Sequence, residues 1–204
     1  MNEEYYLLDN GEKKGPYTFK EITQLDIDIH TEIITANNKQ QYASELPEFN
    51  EYFERKGIYF PTEDNLASFG KRLGAFLIDY IGWYMLVSNI LTNSGLIVLP
   101  PGYKLGDPLP PAMLQLSLIM LASFMIYNTI CELTPLKGSL GKKVLRLIVV
   151  DIDGQRLSIQ SALLRNLGVA LSITIWIPFL SILFSEHRQA WYDSWAKTYV
   201  INTN

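Results

Sequence analysis

One cysteine and two histidines in 204 residues leave little material for covalent or metal chemistry. Cys131 has no partner for an intrachain disulfide, and within its apolar run it reads as a small buried hydrophobe. His30 and His187 lie far apart, neither with a nucleophile or further ligand at a diagnostic spacing, so no catalytic, metal or cofactor site is expected and the chain is not read as an enzyme. The run Gly138-Ser139-Leu140-Gly141-Lys142-Lys143 is no phosphate loop: two residues rather than four separate its glycines, and a second lysine stands where a hydroxyl is needed. Asp151-Ile152-Asp153-Gly154 lacks the downstream glutamate of a calcium loop and is read as a hairpin turn. No basic stretch precedes an apolar core at Met1-Asn2-Glu3-Glu4, so no cleavable signal peptide is expected and the front of the chain should stay in the cytoplasm. No nucleic-acid partner is expected.

What is present is unevenly distributed. Residues 1–64 hold fourteen Asp/Glu against six Lys/Arg, a net of −8, whereas residues 65–204 hold seven against eleven, a net of +4. An acidic, polar front joined to an apolar, mildly basic remainder reads as a small soluble domain over residues 1–53, a linker over residues 54–70 and a membrane domain over residues 71–202.

In the front, Tyr5-Tyr6-Leu7-Leu8 suits a strand, Asp9-Asn10-Gly11-Glu12 a turn and Gly15-Pro16-Tyr17 a second break. Thr18-Phe19-Lys20-Glu21 has the form of a capping box and predicts a short helix over residues 18–25. Ile27, Ile29, Ile33 and Ile34 supply one or two further strands of a small α+β module. Tyr6, Gly11, Gly15-Pro16-Tyr17, Glu21, Ile27 with Thr31 and Ile33, Tyr42 and Pro47-Glu48-Phe49 together resemble the bacterial relatives of the GYF domain over about fifty residues. That resemblance implies a proline-rich peptide or protein partner held on Tyr6, Tyr17 and Tyr42. The same tyrosines also suit half-buried packing of a small core.

Lys71 to Leu91 is long enough to cross a bilayer as one helix, and Ala112 to Cys131 is a second, almost uniformly apolar segment. Pro100-Pro101-Gly102 and Pro108-Leu109-Pro110-Pro111 break the chain between them. A third segment, Leu163 to Phe184, contains Pro178, which predicts a kink, break or re-entrant turn. About three transmembrane or re-entrant segments follow, at residues 71–92, 112–133 and 163–184. Lys137, Lys142, Lys143, Arg146 and Arg156 make the preceding connection the most basic one and mark it as cytoplasmic, in agreement with a cytoplasmic N-terminal domain. A short cytoplasmic β-hairpin is expected there, from residues 144–150, a turn at Asp151-Ile152-Asp153-Gly154, and a return over residues 155–158. Trp83, Trp176, Trp191 and Trp195 suit interfacial anchoring or packing.

Arg72, Ala75 and Asp79, then Gly141-Lys142-Lys143 leading to Val149-Val150-Asp151, Asp153-Gly154, Leu157-Ser158 and Arg165, then Arg188-Gln189 with Asp193, Ala196, Thr198 and Val200, resemble the RDD family over roughly residues 66–202. The resemblance implies an integral protein of the cell membrane, in a bacterium the inner membrane, with Arg72, Asp79 and Asp193 as the family's polar positions. It implies transport, linked in some members to cation/proton antiport. The family pattern has histidine before the last aspartate, where this chain has Tyr192.

Side-chain direction sharpens the polar cluster. A helical side chain leans toward the N-terminus, so Arg72 reaches away from Asp79 and toward the cytoplasm, where Asp193 would meet it if the tail lies there. Arg165 is then the expected partner of buried Asp79, with Asn128 and Glu132 at the same depth. Three full crossings would strand the tail outside, whereas a re-entrant third segment returns it and lets Thr198-Tyr199-Val200-Ile201 pair with the strand at residues 144–150. The functional expectation is transport of small cations or solutes using the buried Asp79. The alternatives are a membrane-tethered binding or scaffold module, and a cluster that only locks helices and tail together. Three helices enclose little volume, so a transport pathway calls for a homo-oligomer in the lipid bilayer.

Overall fold

The computed structural model describes residues 4–9, 12–96, 111–175, 180–185 and 187–203. The proline-rich connection with Lys104, the break at Pro178, Trp176 and the turn residues Asn10 and Gly11 lie outside the described residues. The chain forms two units, residues 1–60 with 153–155, and residues 61–152 with 156–204.

The first unit is a small α+β module. Strands β1 (Tyr5–Asp9), β2 (Glu12–Tyr17), β3 (Glu32–Ile34) and β4 (Gln40–Tyr42) form an antiparallel sheet in the order β2-β1-β3-β4. Helix α1 (Phe19–Gln24) starts at the capping box, where the Glu21 backbone N–H donates to the Thr18 hydroxyl and the Glu21 carboxylate accepts from the Thr18 N–H. Backbone bonding holds Glu21 below the ordinary carboxylate range. The break expected at Gly15-Pro16 is instead absorbed within β2: the register slips between Tyr5 and Leu7, opposite Gly15, whose φ of +133° suits glycine alone. Tyr5, Ile22, Ile27, Ile29, Ile33, Phe49 and Phe53 form the core.

Residues 54–70 are no free linker. Helix α2 (Asn50–Arg55) puts Phe53 in that core, Ile58 and Phe60 pack against it, and Leu66 and Ala67 are buried in the second unit. The expected linker is divided between the two units because its apolar residues satisfy two separate cores.

The second unit is built on α3 (Phe69–Asn93) and α4 (Pro111–Leu133). Ser68 caps α3 by accepting from the Lys71 N–H, so this helix starts two residues earlier than its apolar pattern. At ~1.5 Å per residue α3 is about 38 Å long. Both helices are long and apolar enough to span a membrane, yet only 11% of the most apolar window of α3 and 22% of that of α4 are buried. Leu77, Ile81, Met85 and Leu86 on α3, and Leu114, Leu118, Ile126 and Ile130 on α4, face outward. A helix of a soluble core would bury these side chains. Between the helices, Phe124 meets Phe76 and Tyr80 edge to face, and Trp83 stacks on Tyr127 with ring centroids 4.7 Å apart while its indole donates to Ser123 at 3.0 Å.

The expected hairpin is replaced by strands distant in sequence. Helix α5 (Leu140–Val144) takes Val144, the first residue assigned to it, strand β5 (Leu147–Asp151) follows, and residues 155–158 form no strand. β5 pairs antiparallel with β6 (Thr198–Asn202), Val149 opposite Val200. Helix α6 (Ile159–Ile175) begins four residues before the predicted third segment, because the Ser158 hydroxyl accepts from the Ser161 N–H. Helix α7 (Trp191–Trp195) precedes β6. The two strands are entered alike: a five-residue helix, then Arg146 at φ 54° or Lys197 at φ 53°, then the strand. In each case the left-handed residue turns the chain sharply enough to lay the strand back beside its helix.

Candidate functional site

The polar groups gather at one end of the second unit, where α3 begins, α4 ends, α6 begins and the tail returns. Arg72 is on the first turns of α3, and its Nη1 donates to Asp193 Oδ2 at 2.5 Å. Asp193, fully buried in α7, also accepts at Oδ1 from Arg165 Nε at 2.9 Å and at Oδ2 from the Ala190 N–H at 3.1 Å. The tail therefore lies beside the start of α3. Burial would raise the Asp193 carboxyl, but Arg165 and Arg72 outweigh it and hold the group below the ordinary carboxylate range.

Arg165 bridges to a second carboxylate. Its Nη1 donates to Glu132 at the end of α4, a residue with no exposed surface, and Glu132 also accepts from Lys142 Nζ at 2.6 Å and Asn166 Nδ2 at 2.8 Å. Burial, reinforced by the charge of Arg165, pushes the Lys142 ammonium below its usual value against the pull of Glu132. Glu132, expected beside Asp79, is thus an anchor of the network, and Lys142 and Asn166 are members that charge-counting along the chain missed. Lys142 was visible as part of a basic stretch, but which lysine turns inward depends on the pitch of α5.

Asp79 is not paired with Arg165, contrary to the sequence-based expectation. Its Oδ1 accepts from the Tyr127 hydroxyl at 2.9 Å and the Gly141 N–H at 2.7 Å, and its Oδ2 from the Ser139 hydroxyl at 2.5 Å. The reason is geometric: Glu132 and Asp193 hold Arg165 through its Nη1 and Nε, while the start of α5 offers free N–H groups to a carboxylate. Tyr127 also accepts from the Leu140 N–H at 2.9 Å, so α3 and α4 together hold α5. Asn128 is buried but donates to the Phe124 carbonyl of its own helix, outside the ion network.

Tyr192, which replaces the histidine of the family pattern, is buried with its ring centroid 6.0 Å from the Arg165 guanidinium carbon. Burial, with Asp193 adjacent, drives its hydroxyl well above the usual range, so the phenol keeps its proton at physiological pH. Gly168 makes this packing feasible: a Cβ there would sit 2.2 Å from Tyr192 Cβ.

A cavity of about 60 Å³ opens among these groups, bordered by Arg72, Asp79, Asn128, Lys142, Arg165 and Ser172. Asn128 thus shares the cavity, if not the network.

In the first unit, Tyr17 and Tyr42 border a broad, shallow groove together with Lys14, Leu25, His30 and Glu32. Tyr6 is not among its lining residues; its ring is covered by Lys13 Nζ at 3.8 Å from the centroid. The structure therefore brings two of the three expected platform tyrosines together. Among the described residues, no group of three or more His, Cys, Asp and Glu is arranged to hold a metal ion.

A sequence model described as the RDD family matches residues 66–197. Over 91 residues the chain is 34% identical to the uncharacterized protein YxaI of Bacillus subtilis (strain 168), an alignment that covers 44% of this chain and 60% of that relative. No solved structure matches the chain.

Proposed function

The chain belongs to the RDD family, and from that premise we propose that it is a multi-pass membrane protein that moves a small solute across the bilayer, with the ion-network end of its second unit on the cytoplasmic side. The observation that carries the reading is the cavity enclosed among α3, α4 and α6, bordered by charged groups from several elements, inside a unit whose long helices present apolar faces outward. A buried, bonded charge network is costly to assemble in a membrane and is found where an ion or solute is handled.

Topology follows from the network. The end that gathers Arg72, Glu132, Arg165 and Asp193 also exposes Lys71, Lys143, Arg146 and Lys197, the sign of charge that stays inside. α6 leaves this end and Ala190 is back at it, which supports reading the third apolar stretch as re-entrant rather than as a full crossing. A Thr203→Cys probe in a Cys131→Ser background is expected to resist a membrane-impermeant maleimide in intact cells and to label after permeabilisation. Labelling of intact cells would place the tail outside and remove this topology.

Transport is tested in reconstituted vesicles loaded with a pH dye, under imposed gradients of sodium, potassium or formate. Wild-type protein is expected to dissipate at least one gradient, and Asp79→Asn, which uncouples α3 from α5, to slow it by about tenfold or more, the scale set by losing one charge-assisted bond. If wild-type vesicles are as tight as empty ones, or if Asp79→Asn is as fast as wild type, the reading falls.

A further inference from the structure

The network is not balanced. Lys142, Arg165 and Arg72 share two carboxylates, Glu132 and Asp193, so the connected set carries one surplus positive charge. The third acid on the cavity, Asp79, spends both oxygens on uncharged donors. Arg72 is the member left short. Its residue is 7% exposed, one nitrogen bonds Asp193, and Nε and Nη2 have no hydrogen-bond partner. Those two nitrogens form the side-on edge of the guanidinium, whose parallel N–H groups match the two oxygens of a carboxylate. Leaving such donors buried and unmade is costly, most of all on a charged group.

Arg72 borders the cavity with Asp79, Lys142, Arg165, Asn128 and Ser172, and its volume of about 60 Å³ suits a group of three or four heavy atoms. We propose that this cavity binds one small monovalent oxyanion of the carboxylate or bicarbonate class, held side-on by Nε and Nη2 of Arg72 while Nη1 keeps its bond to Asp193. Neither nitrogen has accessible surface in this structure, so binding requires the guanidinium to turn about that bond toward the void. The anion satisfies the two free donors. Amino acids and sugars exceed the space. The inference deepens the transport reading by naming the chemical class of its ligand, but binding is measured without a gradient, so the two fail separately.

The probe is carbon-13 formate, followed by NMR on the full-length protein in phospholipid-free detergent, with chloride and perchlorate at equal ionic strength as controls. Saturable formate binding is expected, competed by bicarbonate and not by chloride, which has no second oxygen for the fork. Arg72→Lys keeps a cation for Asp193 but has no planar edge, and should weaken formate binding about tenfold or more. If that variant does not fold, Ser172→Leu fills the cavity without touching the ion network, since the Ser172 hydroxyl bonds only the Gly168 carbonyl of its own helix. It should abolish binding while melting with wild type in the absence of formate. No saturable binding to the wild type, equal competition by chloride, or unchanged affinity in a folded variant would each overturn the proposal.

Discussion

Asp193→Asn is expected to be the most damaging single substitution in the second unit, lowering stability by about 3–5 kcal/mol, because it leaves Arg72 and Arg165 buried without a carboxylate between them. The amide has one acceptor oxygen for two guanidinium groups and turns an N–H toward the other. Thermal unfolding in detergent measures the loss; a variant that melts with the wild type would mean that the pairs contribute no net stability. The same group sets an acid limit. The folded-state carboxyl lies below its ordinary value of 3.8, so its stabilisation is complete above that value and disappears as pH falls through the lower, folded value. Wild type should therefore lose melting temperature below about pH 4, and Asp193→Asn should lack this component of the slope.

Gly141→Ala should come second. A Cβ at this position would lie 2.3 Å from the Ala75 carbonyl oxygen and 2.8 Å from Asp79 Oδ2. The first neighbour is helix backbone and cannot swing aside, so α5 must lift from α3 and break the Asp79 bonds to Ser139, Tyr127 and Gly141. Overpacking and the lost charge-assisted bonds put the cost at about 3 kcal/mol or more. Gly82→Ala is the control. It lies on α3 with nothing within 4 Å, and should be neutral or stabilising by up to ~1 kcal/mol through helix propensity. Equal melting of the two variants would show that the close approach of α5 to α3 does not limit stability.

The parts of this architecture legible in the residues are those written in local chemistry. The capping box at Thr18 and Glu21, the two long apolar segments and the strand-like run at residues 144–150 all depend on neighbours within a few positions. The direction of a helical side chain separated Arg72 from Asp79 and turned it toward the tail. The partner of Asp79 was not legible, because two of its three donors are a backbone N–H and a serine hydroxyl, which carry no charge to count and become donors only once α5 has formed. Of the two partners expected for the strand at residues 144–150, the tail run Thr198-Tyr199-Val200-Ile201 pairs with it and the return over residues 155–158 does not. A turn sequence specifies that the chain bends, not which strand pairs after the bend, and β6, near the end of the chain, offers β5 a longer apolar match than the residues after the turn do.

The Arg72–Asp193 bond spans 121 positions of sequence, and this imposes an order on biogenesis. During synthesis α3 and α4 are complete while the carboxylate that neutralises Arg72 has yet to be made. Until then Arg72 must stay hydrated or at the headgroup level, so α3 seats to its final depth only after the tail arrives. Helix α7 and its aspartate thus act as the latch that closes the network once α3 and α4 are made.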